Sequence, residues 1–247
     1  MVDPNRALFE SAVRLLAPVL HELVFVGGCM TGIFITDPAA GGIRPTRDVD
    51  AIVDVTSYAQ YAALSDRLRA LGLAADTSEG APLCRWRHGS VIVDVMPIDA
   101  SVLGFSNRWY PTAINTAQRL DVAGHGVRIV APALFIATKL EAFYGRGADD
   151  IFASHDLEDI VAVVDGRPEI VDDVAAADEQ VRGYIASEIR LLLDDPNFVE
   201  ALPGFLFPDA ASQARRDILE RRLGALSGVA RTRTASAPVR VIEVELK

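Results

Sequence analysis

The spacing of apolar residues divides the first half of the chain into helices and strands. Apolar positions recur every three or four residues over residues 5–23 and 57–71, which predicts two amphipathic helices, the second ending at Gly72. A stretch rich in Gly, Pro and Ala at residues 37–45 predicts a loop. Short apolar runs between polar or turn residues predict strands at residues 23–26, 48–55, 84–87, 90–97 and 126–130.

The second half of the chain carries mostly helical patterns. Pro132 suits the first turn of a helix. Helices are predicted at residues 133–144, 156–164, 169–193 and 211–226, a linker at 227–237, and a strand at 239–246. The whole pattern predicts an α+β fold. A short mixed sheet flanked by helices is expected in residues 1–130, and a mostly helical region that completes an active-site cleft is expected in residues 131–247.

Composition narrows the class of protein. Half of the 247 residues are hydrophobic, so the chain can bury a core without disulfides or metals. Cys29 and Cys84 are too few for a disulfide framework, which predicts a reducing, cytoplasmic location. Without a signal-peptide pattern or an apolar run of about 18 residues, no membrane association is expected. The net charge of −10 argues against a broad nucleic-acid-binding surface but not against a local basic cleft.

A glycine pair and an acidic pair stand at the ends of two apolar runs. Gly27 and Gly28 close one run, and Asp48 and Asp50 open another. Residues i and i+2 share a face of a strand, so the two carboxylates are expected to project together. Oxygen ligands of this kind suit Mg²⁺, with Mn²⁺ as the alternative ion, and glycines let a phosphate approach the backbone. The competing interpretation is that the acidic pair is solvated or caps local structure.

Asp94 favours the metal interpretation. It is an acidic residue within the apolar run of residues 91–96, where an unpaired carboxylate would be costly to bury. If its strand neighbours the strand of Asp48 and Asp50, the three carboxylates could hold two divalent ions, as in phosphoryl transfer.

A few basic residues are candidates for phosphate contacts. Lys139 and Lys247 are the only lysines among the 24 basic residues. The Lys139 ammonium either meets a triphosphate or extends from an apolar helix face to water. Arg146 either contacts phosphate or pairs with nearby acidic residues. Arg44 and Arg47 flank the acidic pair, where one is expected to bind phosphate or acceptor and the other to balance local charge.

Asp156 and Asp159 are expected on one face of the helix predicted at residues 156–164. One interpretation is a salt bridge that orients Lys139 or Arg146. The other is a role at the start of the helix, with either Asp156 as an N-terminal charge or Ser154 as the N-cap residue.

Taken in order, these motifs resemble the AbiEii/AbiGii toxin-type nucleotidyltransferases, within the superfamily of DNA polymerase β-like nucleotidyltransferases. The resemblance covers about residues 20–165. It departs from the family at Cys29, where a serine is usual. The matching positions are Gly27-Gly28, Thr46-Arg47-Asp48-Val49-Asp50, Asp94, Lys139, Arg146 and Asp156-Leu157-Glu158-Asp159.

The resemblance implies a polymerase β-like core and Mg²⁺-dependent transfer of NMP from an NTP to an acceptor. It implies that Asp48, Asp50 and Asp94 bind the metal, that Asp94 also activates the acceptor hydroxyl, and that they act with Lys139 in catalysis. Contacts to the nucleotide are implied for Gly27, Gly28, Cys29, Thr46, Arg47, Arg146 and Asp156.

The resemblance leaves the acceptor open. In this family the acceptor is RNA, including tRNA, or a protein, and the enzyme is often the toxin partner of an antitoxin. A small-molecule nucleotidyltransferase of the aminoglycoside type is the second interpretation, which the negative net charge favours because aminoglycosides are cations. The third is a catalytically degenerate nucleotide-binding module, which Cys29 in place of serine favours.

Overall fold

The computed structural model describes residues 3–145 and 150–228. The described residues group into two units by their contacts. Residues 4–30 and 45–131 form one unit, here called the sheet unit. Residues 31–44 and the described residues from 132 onward, together with Asp3, form the other, here called the helical unit.

The sheet unit is built on seven described strands in the order β3-β4-β5-β2-β1-β7-β6. The pairs β2–β5 and β1–β7 are parallel, and the remaining pairs are antiparallel. The sheet is therefore mixed. The strands are β1 (Leu23–Val26), β2 (Val49–Val53), β3 (Ala74–Ala75), β4 (Arg85–His88), β5 (Val91–Pro97), β6 (Gln118–Val122) and β7 (His125–Ile129).

Helices accompany this sheet, and apolar side chains between them form its core. Phe9 on the first helix meets Phe25 of β1 edge to face, and both rings are buried. The helices of this unit are α1 (Arg6–Leu15), α3 (Tyr58–Ala70), α4 (Ala100–Leu103) and α5 (Tyr110–Asn115), with 3-10 helices at Ala17–Glu22 and Gly28–Met30.

The helical unit packs around a separate apolar core that includes Phe135, Leu157 and Ile189. Its helices are α2 (Thr31–Phe34), α6 (Pro132–Gly145), α7 (His155–Gly166), α8 (Ile170–Ala175), α9 (Glu179–Asp194), α10 (Pro196–Phe205), α11 (Ala210–Gln213) and α12 (Arg216–Gly228). The predicted α+β fold, with a mixed sheet and a mostly helical C-terminal region, is thus confirmed. In the described residues, no helix is both long and apolar enough to cross a bilayer.

The prediction of one helix over residues 5–23 was wrong. The first helix ends at Leu15, and a 3-10 helix follows with Pro18 in its first turn. Proline has no backbone N–H to donate and its ring blocks the preceding turn, so the α-helix does not continue through it.

The prediction of one helix over residues 169–193 was also wrong. The chain breaks after α8, and Asp178 starts α9 by accepting a hydrogen bond from the backbone N–H of Gln180. An aspartate at this position is a strong N-cap, which favours a new helix start over continuation.

Further differences concern elements that the pattern missed or misplaced. Strands β3 and β6 and helices α2, α4, α5 and α10 were not predicted. The prediction of one helix over residues 211–226 was wrong, because α11 ends at Gln213 and α12 begins at Arg216. The predicted linker at residues 227–237 is wrong at its start, because Ser227 lies in α12. The rest of that linker and the strand predicted at residues 239–246 lie outside the described residues.

Candidate carboxylate site

The sheet unit brings together the three carboxylates that the sequence pattern selected. Asp50 on β2 lies directly opposite Asp94 on the parallel neighbour β5. Opposed residues of neighbouring strands share a face and lie about 4.8 Å apart. Asp48 stands two residues before Asp50, at the entrance to β2. We call these three residues the carboxylate cluster.

A guanidinium that the pattern did not reveal lies within the carboxylate cluster. Arg85 on β4 lies opposite Asp94, and its Nε donates to Asp94 Oδ1 at 2.9 Å. Its Nη2 donates to Asp94 Oδ2 at 2.7 Å and to Asp48 Oδ2 at 2.6 Å. The hydrogen bonds to Asp94 and the charges of both carboxylates raise the pKa of Arg85, so it is always a cation. One arginine therefore neutralises part of the charge of two aspartates.

Arg85 was missed because the spacing of residues in the sequence does not fix the register of the β4–β5 hairpin. The strands predicted at residues 84–87 and 90–97 leave His88 and Gly89 to connect them, but the turn residues are Gly89 and Ser90, because His88 pairs with Val91. Gly89 has a φ of +58°, as hairpin turns of two residues require. This register places Arg85 directly opposite Asp94.

Gly27 forms the wall of the carboxylate cluster at Asp50. It follows β1 with a φ of +74°, and a Cβ atom built on it would lie 1.9 Å from Asp50 Oδ2. Both the backbone conformation and the lack of space require glycine here. Gly28 is buried and begins the 3-10 turn that follows.

Two further predicted residues bind to Asp48 rather than face open solvent. The Cys29 thiol is buried and donates to the backbone carbonyl of Asp48 at 3.3 Å. The Thr46 hydroxyl donates to Asp48 Oδ1 at 3.1 Å, and its backbone N–H donates to the buried Asn5 side chain. These contacts connect the glycine turn to the residues that directly precede β2, and they fix the orientation of Asp48.

Arg47 differs from its neighbours because its side chain is exposed. In the described part of the chain, no hydrogen bond or ion pair holds its guanidinium. It is thus a cation next in sequence to Asp48 that remains available to an anionic ligand.

The chemistry of the donors in the carboxylate cluster fits a divalent cation. Carboxylate oxygens are the ligands that Mg²⁺ prefers, with water and substrate phosphates filling the remaining positions. As arranged in the structure, however, Asp48 and Asp94 share Arg85, and across residues 3–145 and 150–228 no group of three or more His, Cys, Asp or Glu side chains is positioned to hold a metal ion.

The helical unit contains a second set of predicted residues, joined in a buried ion-pair network. Lys139 on α6 donates from Nζ to Asp156 Oδ1 at 3.0 Å and to Asp159 Oδ2 at 2.6 Å. Both aspartates lie on α7, whose first turn is capped by the Ser154 side chain accepting from the backbone N–H of Leu157. The predicted N-cap is therefore confirmed, and the expected salt bridge to Lys139 is present alongside it.

Arg44 completes this network from the loop before β2. Its Nε and Nη2 donate to the two oxygens of Asp159 at 3.0 and 2.8 Å. Burial alone would raise the pKa of Asp159, but the charges of Lys139 and Arg44 outweigh it and lower the pKa below its ordinary value. Arg44 is thus committed to an internal ion pair. The predicted phosphate contact Arg146 lies outside the described residues.

Comparisons with known proteins yield distant structural likenesses. No family model and no curated protein sequence matches this chain. An antigenic nucleotidyltransferase-like protein from Paracoccidioides brasiliensis is 18% identical over 81% of this chain and 92% of its own, with a TM-score of 0.46. The protein JHP933 from Helicobacter pylori is 12% identical over 92% of this chain and 88% of its own, with a TM-score of 0.44. Because both scores lie below 0.5, neither likeness assigns this chain to a family.

Proposed function

We propose that this chain is a divalent-metal-dependent nucleotidyltransferase that moves NMP from an NTP to an acceptor hydroxyl. The observation that carries the proposal is the placement of Asp50 directly opposite Asp94, with Asp48 two residues earlier. Gly27, beside Asp50, supplies the close backbone approach that a phosphate chain needs. The resemblance of the ordered motifs to nucleotidyltransferases supports the same reaction class.

In this proposal the acceptor oxygen bonds to the α-phosphorus of the NTP, and the bond from that phosphorus to the bridging oxygen breaks. Pyrophosphate leaves with that oxygen. Asp48, Asp50 and Asp94 would hold Mg²⁺ or Mn²⁺, which would neutralise the charge that the phosphates bring. Asp94 would take up the acceptor proton at one of the acceptor sites that the hydrogen bonds from Arg85 leave open on its two oxygens.

The other predicted residues bind and position the nucleotide in this proposal. Arg47 is exposed and contacts a phosphate or the acceptor. Gly27 and Gly28 offer the turn backbone, while Cys29 and Thr46 hold Asp48 in place. Roles for Lys139, Arg146 and Asp156 toward the nucleotide rest on the resemblance alone.

Replacing Asp50 with Asn tests the reaction. We expect the D50N variant to lose transfer from radiolabelled NTP by at least about a hundredfold, because the change removes a metal-binding charge while keeping the side-chain shape. Each labelled NTP is incubated with Mg²⁺ and total RNA, cell lysate or an aminoglycoside, and products are separated on gels or thin layers.

The matched control for this experiment is D54N, which removes an exposed carboxylate just beyond the end of β2. It should transfer label at the wild-type rate. Equal transfer by D50N and the wild-type protein would refute the proposed metal site. The acceptor that takes the label distinguishes RNA, protein and small-molecule transfer, and growth arrest by the wild-type protein but not by D50N would identify a toxin.

The alternative function is a nucleotide-binding module without turnover. The presence of Arg85 among the three carboxylates favours it, because a guanidinium already fulfils part of the role of a metal ion. Mg²⁺-dependent NTP binding with no labelled product across all acceptors would support this alternative.

A further inference from the structure

Arg85 is held within the carboxylate cluster by the geometry of the sheet. Its strand position is fixed opposite Asp94, and its planar fork matches the two oxygens of that carboxylate. The third hydrogen bond, from Nη2 to Asp48 Oδ2, reaches a residue that is not paired with β4. Arg85 is thus anchored at Asp94, while its hold on Asp48 depends on one hydrogen bond.

The Arg85–Asp48 contact is also more exposed to solvent than the Arg85–Asp94 contact. The Asp94 side chain is 9% exposed and that of Arg85 is 22% exposed, whereas Asp48 is 27% exposed. Water or an ion therefore reaches Asp48 more readily than Asp94. A cation that binds there must compete with the Arg85 guanidinium for Asp48 Oδ2 and must approach its positive charge.

We propose that Arg85 is a built-in competitor of the metal ion, which neutralises part of the charge of Asp48 and Asp94 in the metal-free protein and weakens metal binding at Asp48. The inference rests on the proposed function, since it assigns a positioning role within the same metal site. With a metal ion held at Asp48, Arg85 would keep its two hydrogen bonds to Asp94 and lose the one to Asp48. The N–H of Nη2 that donated to Asp48 would then donate to a phosphate oxygen, while the other N–H of Nη2 stays on Asp94.

Metal titration of an Arg85→Gln variant tests this inference without any NTP. Mn²⁺ binding is measured by isothermal titration calorimetry and by electron paramagnetic resonance of the free ion. Removing a positive charge a few ångströms from a divalent ion should tighten Mn²⁺ binding by about tenfold or more. A residue that only supports the fold would leave the Mn²⁺ affinity unchanged or weaken it.

Two other variants keep the test decisive. Arg87→Gln is the matched control, because Arg87 lies two residues along β4 and pairs with Asp76 instead. It changes the net charge equally and should bind Mn²⁺ as the wild-type protein does. Arg85→Lys keeps the charge but cannot donate to both carboxylates through a planar fork, so its affinity should lie between those of the wild type and Arg85→Gln. This variant decides the question if Arg85→Gln does not fold.

The outcomes separate the inference from the proposed function. Unchanged or weaker Mn²⁺ binding in the folded Arg85 variants would overturn the inference, even if the wild-type protein transfers nucleotides. Tighter binding in Arg85→Gln would support it, even if no acceptor is found. Absence of Mn²⁺ binding to every variant would overturn the inference together with the metal requirement of the proposed reaction.

Discussion

Gly27 and Asp50 approach each other so closely that no side chain fits between them. Gly27 combines a left-handed φ of +74° with a virtual Cβ position 1.9 Å from the Asp50 carboxylate. A glycine is therefore a condition for the orientation of Asp50 and through it for the carboxylate cluster. The acidic pair and the glycine turn therefore depend on each other for their geometry, although twenty residues separate Gly27 from Asp48 in the sequence.

The variant Gly27→Ala should be destabilised by about 3 kcal/mol or more, because left-handed strain and overpacking against Asp50 add together. Gly104→Ala is the matched control. Gly104 has a φ of +84° with open space around its virtual Cβ, so its replacement should cost only about 1–2 kcal/mol. Urea unfolding of both variants measures the difference, and equal losses would show that the approach to Asp50 is not what requires glycine.

Among the helices, the ion-pair network joins α6 to the first turn of α7. Lys139, Arg44, Asp156 and Asp159 place two cations and two carboxylates in contact, and Asp159 accepts from both cations. The side chain of Asp159 is 2% exposed, so removal of its charge takes away the buried carboxylate that Lys139 and Arg44 share.

Replacing Asp159 with Asn should reduce the free energy of unfolding at pH 7 by about 3–5 kcal/mol. The folded-state pKa of Asp159 lies below the unfolded value of about 3.9, so its contribution is fully present above that value. It is lost as the pH falls through the folded pKa. The difference between wild type and variant should therefore shrink on going from about pH 5 to pH 2.

Urea unfolding at several pH values checks this expectation. Glu158→Gln is the control, since Glu158 lies beside Asp159 on α7 but its side chain is 33% exposed and 3.8 Å from Arg44. Its replacement should change stability by less than about 1 kcal/mol. A constant difference between the wild type and Asp159→Asn across this pH range would contradict the assigned ion pairs.

The elements show which features local pattern can predict. Strands β1, β2 and β5 were predictable because each is an apolar run, and the Asp residues within or beside them were conspicuous for the same reason. The position of Arg85 was not, because it depends on which residues form the hairpin turn. If the turn between β4 and β5 moves by one residue, a different residue of β4 lies opposite Asp94. The spacing of apolar residues does not determine where that turn lies.

The whole molecule carries ten more negative than positive formal charges. Several of its arginines are also committed to internal ion pairs, as Arg215 is with Asp165 and Asp37, and Arg167 is with Asp173. These arginines do not offer a basic surface to a polyanion. The long-range field therefore disfavours RNA acceptors at low salt, and local cations such as Arg47 would have to overcome it.

At this scale, the predicted fold class was confirmed because alternating strand and helix patterns persist over many residues and errors at single boundaries do not change them. The breaks at Pro18 and between α8 and α9 show where a pattern over many residues fails to predict a helix end. Apolar periodicity continues across both breaks, while one proline or one capping aspartate ends the helix.

Burial suppresses the reactivity of both cysteines, and at Cys84 the nearby carboxylates add to it. Cys84 immediately precedes β4, and burial, together with the negative charges of Asp94 and Asp50, raises the pKa of its thiol to about 12. Cys29 is 1% exposed and donates its thiol hydrogen to a carbonyl. Since only thiolates react with alkylating reagents, iodoacetamide at pH 8 should modify neither cysteine in the native protein within hours, but both in urea, as mass spectrometry would reveal.

A chain with two thiols therefore behaves, while folded, as if it had none. A single cysteine placed on the surface would accept a fluorophore or spin label selectively, with both native cysteines left in place. The rate at which the native thiols become labelled would then report how often the sheet around the carboxylates opens.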